Sequence, residues 1–229
     1  MEKYKDGDFQ EAYNDFRIVT LQYQGSSFSD DAQFYMGECK FQREEYILAA
    51  YEYDVLIRTM PTSEFVPNAR FQKAMCYYQQ SPRSNLDQEY THKAIDEFQS
   101  FIEYHPTDPR VLDAEAKISE LNSKLAKKEY DSGMIYMRMQ YYRAATVTFD
   151  FILEKYHDTP YAEPALLKKA ESLHERRKYA DAVTSAKLFL EKYPSSTLKS
   201  EAESILGDSR GKLDQERKVE PGSTTATKS

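Results

Sequence analysis

Five alanines set the frame of this chain. Ala12, Ala49, Ala94, Ala145 and Ala182 each occupy the same place in a recurring pattern of small, aromatic and helix-stopping residues. Four residues after them stand Phe16, Tyr53, Phe98, Phe149 and Ala186, and three residues before them Phe9, Tyr46, Thr91, Tyr142 and Tyr179. Spacings of three and four gather side chains on one face of a helix, so each alanine marks the buried stripe of one helix. Twelve residues on come Gln24, Pro61, Pro106, His157 and Pro194, three prolines at a point where a helix has to stop. A further alanine follows after twenty residues every time: Ala32, Ala69, Ala114, Ala165 and Ala202. Such a register predicts repeated helix pairs, whose function is read from surfaces rather than from a cleft.

The partner helix of each pair carries a small residue twelve positions before the alanine in the compact repeats: Gly37, Gly133 and Ala170. A small residue there lets two backbones approach, and the ring beyond the alanine fills the space beside it. Ser63, Asp108 and Thr159 are expected N-caps, with Pro109 and Pro160 in the first helical turn. The intervals between alanines are 37, 45, 51 and 37 residues, so two repeats carry insertions. Gln80 to Asp87 reads as an exposed loop, whereas Val111 to Met139 holds apolar residues at helical spacing with no breaker and predicts one long helix. Repeat one shows only its second helix, Asp8 to Tyr23, behind a stub. Because Met1 opens directly onto it, the natural beginning is expected upstream.

The expectation is an all-α, tetratricopeptide-like solenoid of about five helix pairs, with the long helix before the fourth pair and a capping helix from about Thr197 to Lys218. Its parts would be an N-terminal group over 1–108, a C-terminal group over 109–218 and a disordered tail over 219–229.

Composition narrows the function. The charge is −7 and no basic stripe is present, which argues against a nucleic-acid partner. No apolar run is long enough to span a membrane, and no secretory signal follows Met1. Cys39 and Cys76 occupy one position in neighbouring helices about 8 to 10 Å apart, too far for a disulfide, and read as buried small hydrophobes. His92, His105, His157 and His174 lack metal spacing, and Ser196 to Lys199 has the letters of an S-x-x-K motif without its companions. No catalytic residue, metal or cofactor is expected.

A small residue, twelve on an alanine, four on an aromatic and eight on a proline is the tetratricopeptide pattern. Within it, AIDEFQSFIEYHPTDP (Ala94 to Pro109), LAKKEYDSGMIYMRMQYYRAA (Leu125 to Ala145) and FLEKYPSS (Phe189 to Ser196) resemble the BamD (ComL) outer-membrane assembly lipoproteins. The resemblance implies a five-repeat scaffold without catalysis, lipid-held on the periplasmic face of the bacterial outer membrane. Its implied partners are the periplasmic domains of the barrel-inserting subunit, unfolded outer-membrane protein precursors and other assembly lipoproteins. The lipidated cysteine and signal peptide of that family are not in this sequence, and the short first repeat lacks part of the family's recognition surface. Another envelope tetratricopeptide protein, coordinating cell-wall or division complexes, is the alternative; an upstream lipidated cysteine would separate the two.

Counted on the tetratricopeptide frame, the groove-facing positions of the first helices are Phe34, Glu38, Phe41, Phe71, Met75, Tyr78, Tyr130, Met134, Met137, Leu167, Glu171 and His174, of which the rings and thioethers Phe34, Phe41, Phe71, Met75, Tyr78, Tyr130, Met134 and Met137 are the candidate contacts. Rings and thioethers exposed in a groove suit an extended chain with an aromatic end, although each could equally pack against the next repeat. Tyr141, Tyr142 and Arg143, closing the Tyr130 to Arg143 segment, are the expected docking residues for the barrel-inserting partner.

Overall fold

The computed structural model describes residues 1–23, 25, 26 and 28–219 and, at Val219, the backbone alone. Among them the chain forms eleven α-helices and no strand: α1 (Glu2–Lys5), α2 (Phe9–Gln22), α3 (Ser29–Gln42), α4 (Tyr46–Thr59), α5 (Val66–Gln80), α6 (Glu89–Tyr104), α7 (Val111–Arg138), α8 (Tyr142–Lys155), α9 (Ala162–Glu175), α10 (Tyr179–Lys192) and α11 (Lys199–Val219). The fold is a tetratricopeptide-like solenoid of helix pairs, with α1 as the stub, α7 as the long helix and α11 after the last pair. Gln24 and, from residue 220 on, the expected tail lie outside the described residues.

The chain divides into two compact units, Met1–Leu121 and Asn122–Ser229, a boundary inside α7 where the sequence placed it at 108. In the first unit α2 packs on α3, α3 on α4, α4 on α5 and α5 on α6; in the second α8 packs on α9, α9 on α10 and α10 on α11, which also touches α9. The five register alanines and the five that follow at twenty residues are all buried.

Two glycines explain the close approach within pairs. A Cβ added to Gly37 would stand 2.5 Å from the Tyr53 ring, and one on Gly133 2.5 Å from the Phe149 ring. Both rings are fully buried, so the ring beyond the alanine lies where a side chain on the partner helix would be.

The turn inside each pair repeats as well. Gly7, Glu44, Gln140 and Arg177, each five residues before a register alanine, have φ of 85°, 60°, 60° and 58°. The next amide reaches back to the carbonyl five residues earlier: Asp8 to Lys3, Glu45 to Lys40, Tyr141 to Tyr136 and Lys178 to Leu173, at 2.8 to 3.0 Å. This is the Schellman closure, and its last residue also begins the second helix, because the register alanine donates to its carbonyl. In repeat three the inserted segment replaces that turn. There Gln88 Nε2 donates to the carbonyls of Arg83 and Leu86 at 2.9 and 3.0 Å, which folds the loop onto the start of α6.

Between repeats the structure corrects the expected N-caps. Ser63, Asp108 and Thr159 open a turn three residues before the helix, their carbonyls accepting from Val66, Val111 and Ala162 at 3.2, 3.0 and 3.1 Å. That bond tightens the chain ahead of the helix, so the cap positions fall at Phe65 and Tyr161, neither with a side-chain cap. The side chains of Ser63 and Asp108 instead take the amides of Phe65 and Arg110 at 3.1 and 2.9 Å. Pro109 and Pro160 consequently lie in the turn, and it is Pro67 that occupies the first helical turn of α5. The same turn hydroxyls tie repeats together: Ser63 donates to Asp30 at 2.7 Å, and Ser196 donates to Glu163.

Candidate partner-docking surface

The turn between α7 and α8 presents an open, largely apolar surface. Gln140 in its left-handed conformation reverses the chain, which leaves Met139 and Tyr141 more than half exposed on either side of it. Along α8 the outward position two residues past the register alanine is Val147, 63 % exposed, where Asn14, Asp96 and Thr184 stand in three other repeats. Tyr136, Tyr141, Tyr142, Ala144 and Val147 wall an open concavity of about 720 Å³. Gln140, Thr148, Arg143 and Arg176 complete its lining, which holds no carboxylate. Arg176 donates to Thr146 Oγ1 at 3.2 Å, and neither guanidinium is ion-paired among the described residues. Burial, with Glu175 nearby, pushes the Tyr142 hydroxyl up from its ordinary value. Exposed rings beside unpaired guanidinium groups can bind a protein surface through apolar contact and charge-assisted hydrogen bonds.

The structure therefore brings Tyr141, Tyr142 and Arg143 together in one concavity. Tyr136, Val147 and Arg176 join them without having been singled out from sequence. Val147 carried a readable signal, an apolar residue at an outward position that is polar in most repeats. Arg176 carried none, since it arrives from the next pair.

The eight candidate groove contacts are placed differently. Phe34 is 8 % exposed and stacks on Phe65 at 4.9 Å, so its ring lies in the core rather than in an open groove. Phe41 meets Tyr46 edge-on at 5.2 Å, and Phe71 meets Phe98 and Phe101 at 5.8 and 5.3 Å with the Arg110 guanidinium over it. Tyr78 donates to Glu120 at 2.7 Å beneath Lys117, while Met75 is half-buried. In the second unit Tyr130, Met134 and Met137 pack against the cluster of Ala145, Phe149, Ile152 and Ala165, each still half-exposed. Leu167 is buried. The physical reason is common to all: a first helix lies between its own partner and the neighbouring repeat, so long side chains there find contacts before they find solvent.

Glu38, between Phe34 and Phe41, is a buried carboxylate. It accepts from Tyr53 at 2.6 Å, from Gln72 at 2.9 Å and from Tyr4 at 3.4 Å, which joins α1, α3, α4 and α5. Glu52 is held in the same way by Gln33 at 2.8 Å and Tyr13 at 2.9 Å. Burial, then the nearby carboxylate, pushes the Tyr4 hydroxyl up to about 12. Tyr13 is likewise pushed up to about 12, by burial and its bond to Glu52. Burial also raises both thiols, Cys39 to about 11, and neither forms a disulfide. Among the described residues no group of His, Cys, Asp and Glu could hold a metal ion, and no helix is long and apolar enough to cross a membrane.

Comparison with known proteins adds the family. The model of YfiO, outer membrane lipoprotein, matches residues 1–179, and that of the tetratricopeptide repeat matches residues 164–196. Three curated relatives carry the name outer membrane protein assembly factor BamD. The Caulobacter vibrioides protein is 28 % identical over 72 % of this chain and 54 % of its own length. That of Rickettsia prowazekii is 26 % identical over 76 % of this chain and 72 % of its own. That of Xylella fastidiosa is 22 % identical over 73 % of this chain and 61 % of its own. The chain thus spans about half to three quarters of the relatives it matches. With the family model covering residues 1–179 of 229, the chain belongs to the YfiO family of outer membrane lipoproteins, the BamD family, built on tetratricopeptide-like repeats.

Proposed function

We propose that this chain is a non-catalytic assembly factor for outer-membrane β-barrel proteins, working on the periplasmic face of the outer membrane. It docks the periplasmic domains of the barrel-inserting subunit through the α7–α8 concavity. One observation carries this reading: Tyr136, Tyr141 and Val147 expose rings and a branched side chain around an open hollow that Arg143 and Arg176 border. Contiguous apolar surface of this kind is costly in water unless a partner covers it, and aromatic and arginine side chains supply most interface energy.

The half-exposed Met75, Tyr78, Tyr130, Met134 and Met137 are candidate contacts for unfolded barrel precursors; Phe34, Phe41 and Phe71 support them from within. Other assembly lipoproteins are candidate further partners. A titration with the partner's periplasmic domains tests the docking site. Tyr141→Ala combined with Val147→Asp should weaken binding about tenfold or more, as loss of a hot spot does. The melting temperature should stay at the parent's value because both residues face solvent. Unchanged affinity would remove the α7–α8 concavity from the interface.

A further inference from the structure

A second hollow lies on the other side of the α9–α10 turn, and its chemistry differs. Helix α11 folds back along α10, so its last turns reach the start of that helix. There Arg177, Tyr179, Lys212, Leu213, Gln215, Glu216 and Arg217 line an open concavity of about 600 Å³. Three cations face one carboxylate in a chain whose net charge is −7. Arg177, Lys212 and Arg217 are exposed, and none forms an ion pair among the described residues. The adjoining Lys178 is exposed as well and forms no ion pair among the described residues. Three other lysines of this unit are ion-paired, Lys169 with Asp150 at 2.5 Å, Lys168 with Glu171 at 2.7 Å and Lys127 with Asp131 at 2.7 Å, whereas the cations of this hollow are gathered in one place without such partners.

From this array we propose that the end of the second unit formed by the α9–α10 turn and the last turns of α11 is a contact surface for anionic phospholipid headgroups. A specific protein partner gains affinity from a desolvated aromatic or apolar anchor in a fitted pocket. The α7–α8 hollow offers such an anchor, whereas here the apolar lining is Leu213 and the ring of Tyr179. Long cationic side chains held by no partner suit many mobile phosphates instead, each cation adding a similar increment near an anionic surface. An outer membrane lipoprotein works beside a phospholipid layer, so the required array of anions lies within reach. The acidic excess of the chain lies in the first unit, with 22 acidic against 12 basic residues, while the second unit has 19 basic against 16 acidic residues, so the second unit carries no net negative charge to oppose the contact.

Flotation of the purified chain with vesicles of phosphatidylcholine alone, and of phosphatidylcholine with about a third phosphatidylglycerol, tests the proposal. Binding should appear only with the anionic vesicles and fall as salt is raised. Combining Arg177→Gln, Lys212→Gln and Arg217→Gln should lower partitioning by roughly fivefold per cation removed. Lys155→Gln, Lys187→Gln and Lys192→Gln together, elsewhere on this unit, should have a much smaller effect. Circular dichroism and melting of both variants should match the parent. Three results would overturn the proposal: equal partitioning of the two variants, full displacement by millimolar inorganic phosphate, or capture of an acidic peptide without binding to anionic vesicles. None of these outcomes depends on the α7–α8 hollow, whose Tyr141→Ala, Val147→Asp variant should float like the parent.

Discussion

At Gly133 the packing of a whole pair turns on one absent atom. The Phe149 ring sits where a Cβ would be, is fully buried, and has Tyr130 against it at 6.0 Å. Gly133→Ala should therefore destabilise the protein by about 1 to 3 kcal/mol, the usual cost of overpacking, although alanine is the better helix former. Chemical denaturation monitored by circular dichroism measures this directly, and a stabilised variant would mean that the ring moves aside easily. Gly133 and its ring were legible in the sequence from their sixteen-residue separation, repeated at Gly37 and Tyr53. The buried carboxylates were not. Glu38 counts as a groove-facing position on the tetratricopeptide frame, and only the arrival of Tyr4, Tyr53 and Gln72 from three other helices shows why it is tolerated inside.

Helix boundaries followed from periodicity, but what joins the helices did not. The left-handed residue before the second helix of four repeats is glycine once, at Gly7, and otherwise glutamate, glutamine or arginine, so its composition conceals the conformation. These three residues hold a backbone state that costs an L-residue about 1 kcal/mol, because the surrounding Schellman closure demands it. Replacing the exposed Glu44 by glycine should raise stability by roughly 0.5 to 1 kcal/mol, net of glycine's greater chain entropy. An unchanged or lower denaturation midpoint would show the turn to be unstrained. The inter-repeat turns misled for a related reason: a hydroxyl or carboxylate two residues from an amide looks like an N-cap in sequence, yet the same atoms serve a turn. The groove residues expose a further gap. Whether Phe34 or Tyr141 meets solvent depends on which neighbour reaches it, and this lies in the packing between repeats.

Across the whole molecule, the largest fully buried side chains among the described residues are Tyr53, Phe98, Phe101, Phe149 and Phe189, in a chain with 19 tyrosines, 12 phenylalanines and no tryptophan. Tyrosine hydroxyls bonded to internal carboxylates tie stability to alkaline pH. For Tyr4 and Tyr13 the folded value is pushed from 10.0 up to about 12, so their neutral forms are favoured by folding. Their contribution is complete below pH 10 and is lost as the pH rises toward 12. Melting temperature measured over this range should fall, and tyrosinate absorbance should appear late for these two; Tyr13→Phe should flatten part of the decline. The two thiols, finally, are distributed unequally. Cys39 and Cys76 both lie in the unit Met1–Leu121, are fully buried, and the other unit contains no cysteine. Alkylation by a thiol reagent must wait for that unit to open, so its kinetics would report on one half of the chain while the other stays silent. These two thiols thereby act as a built-in clock for the opening of the first unit.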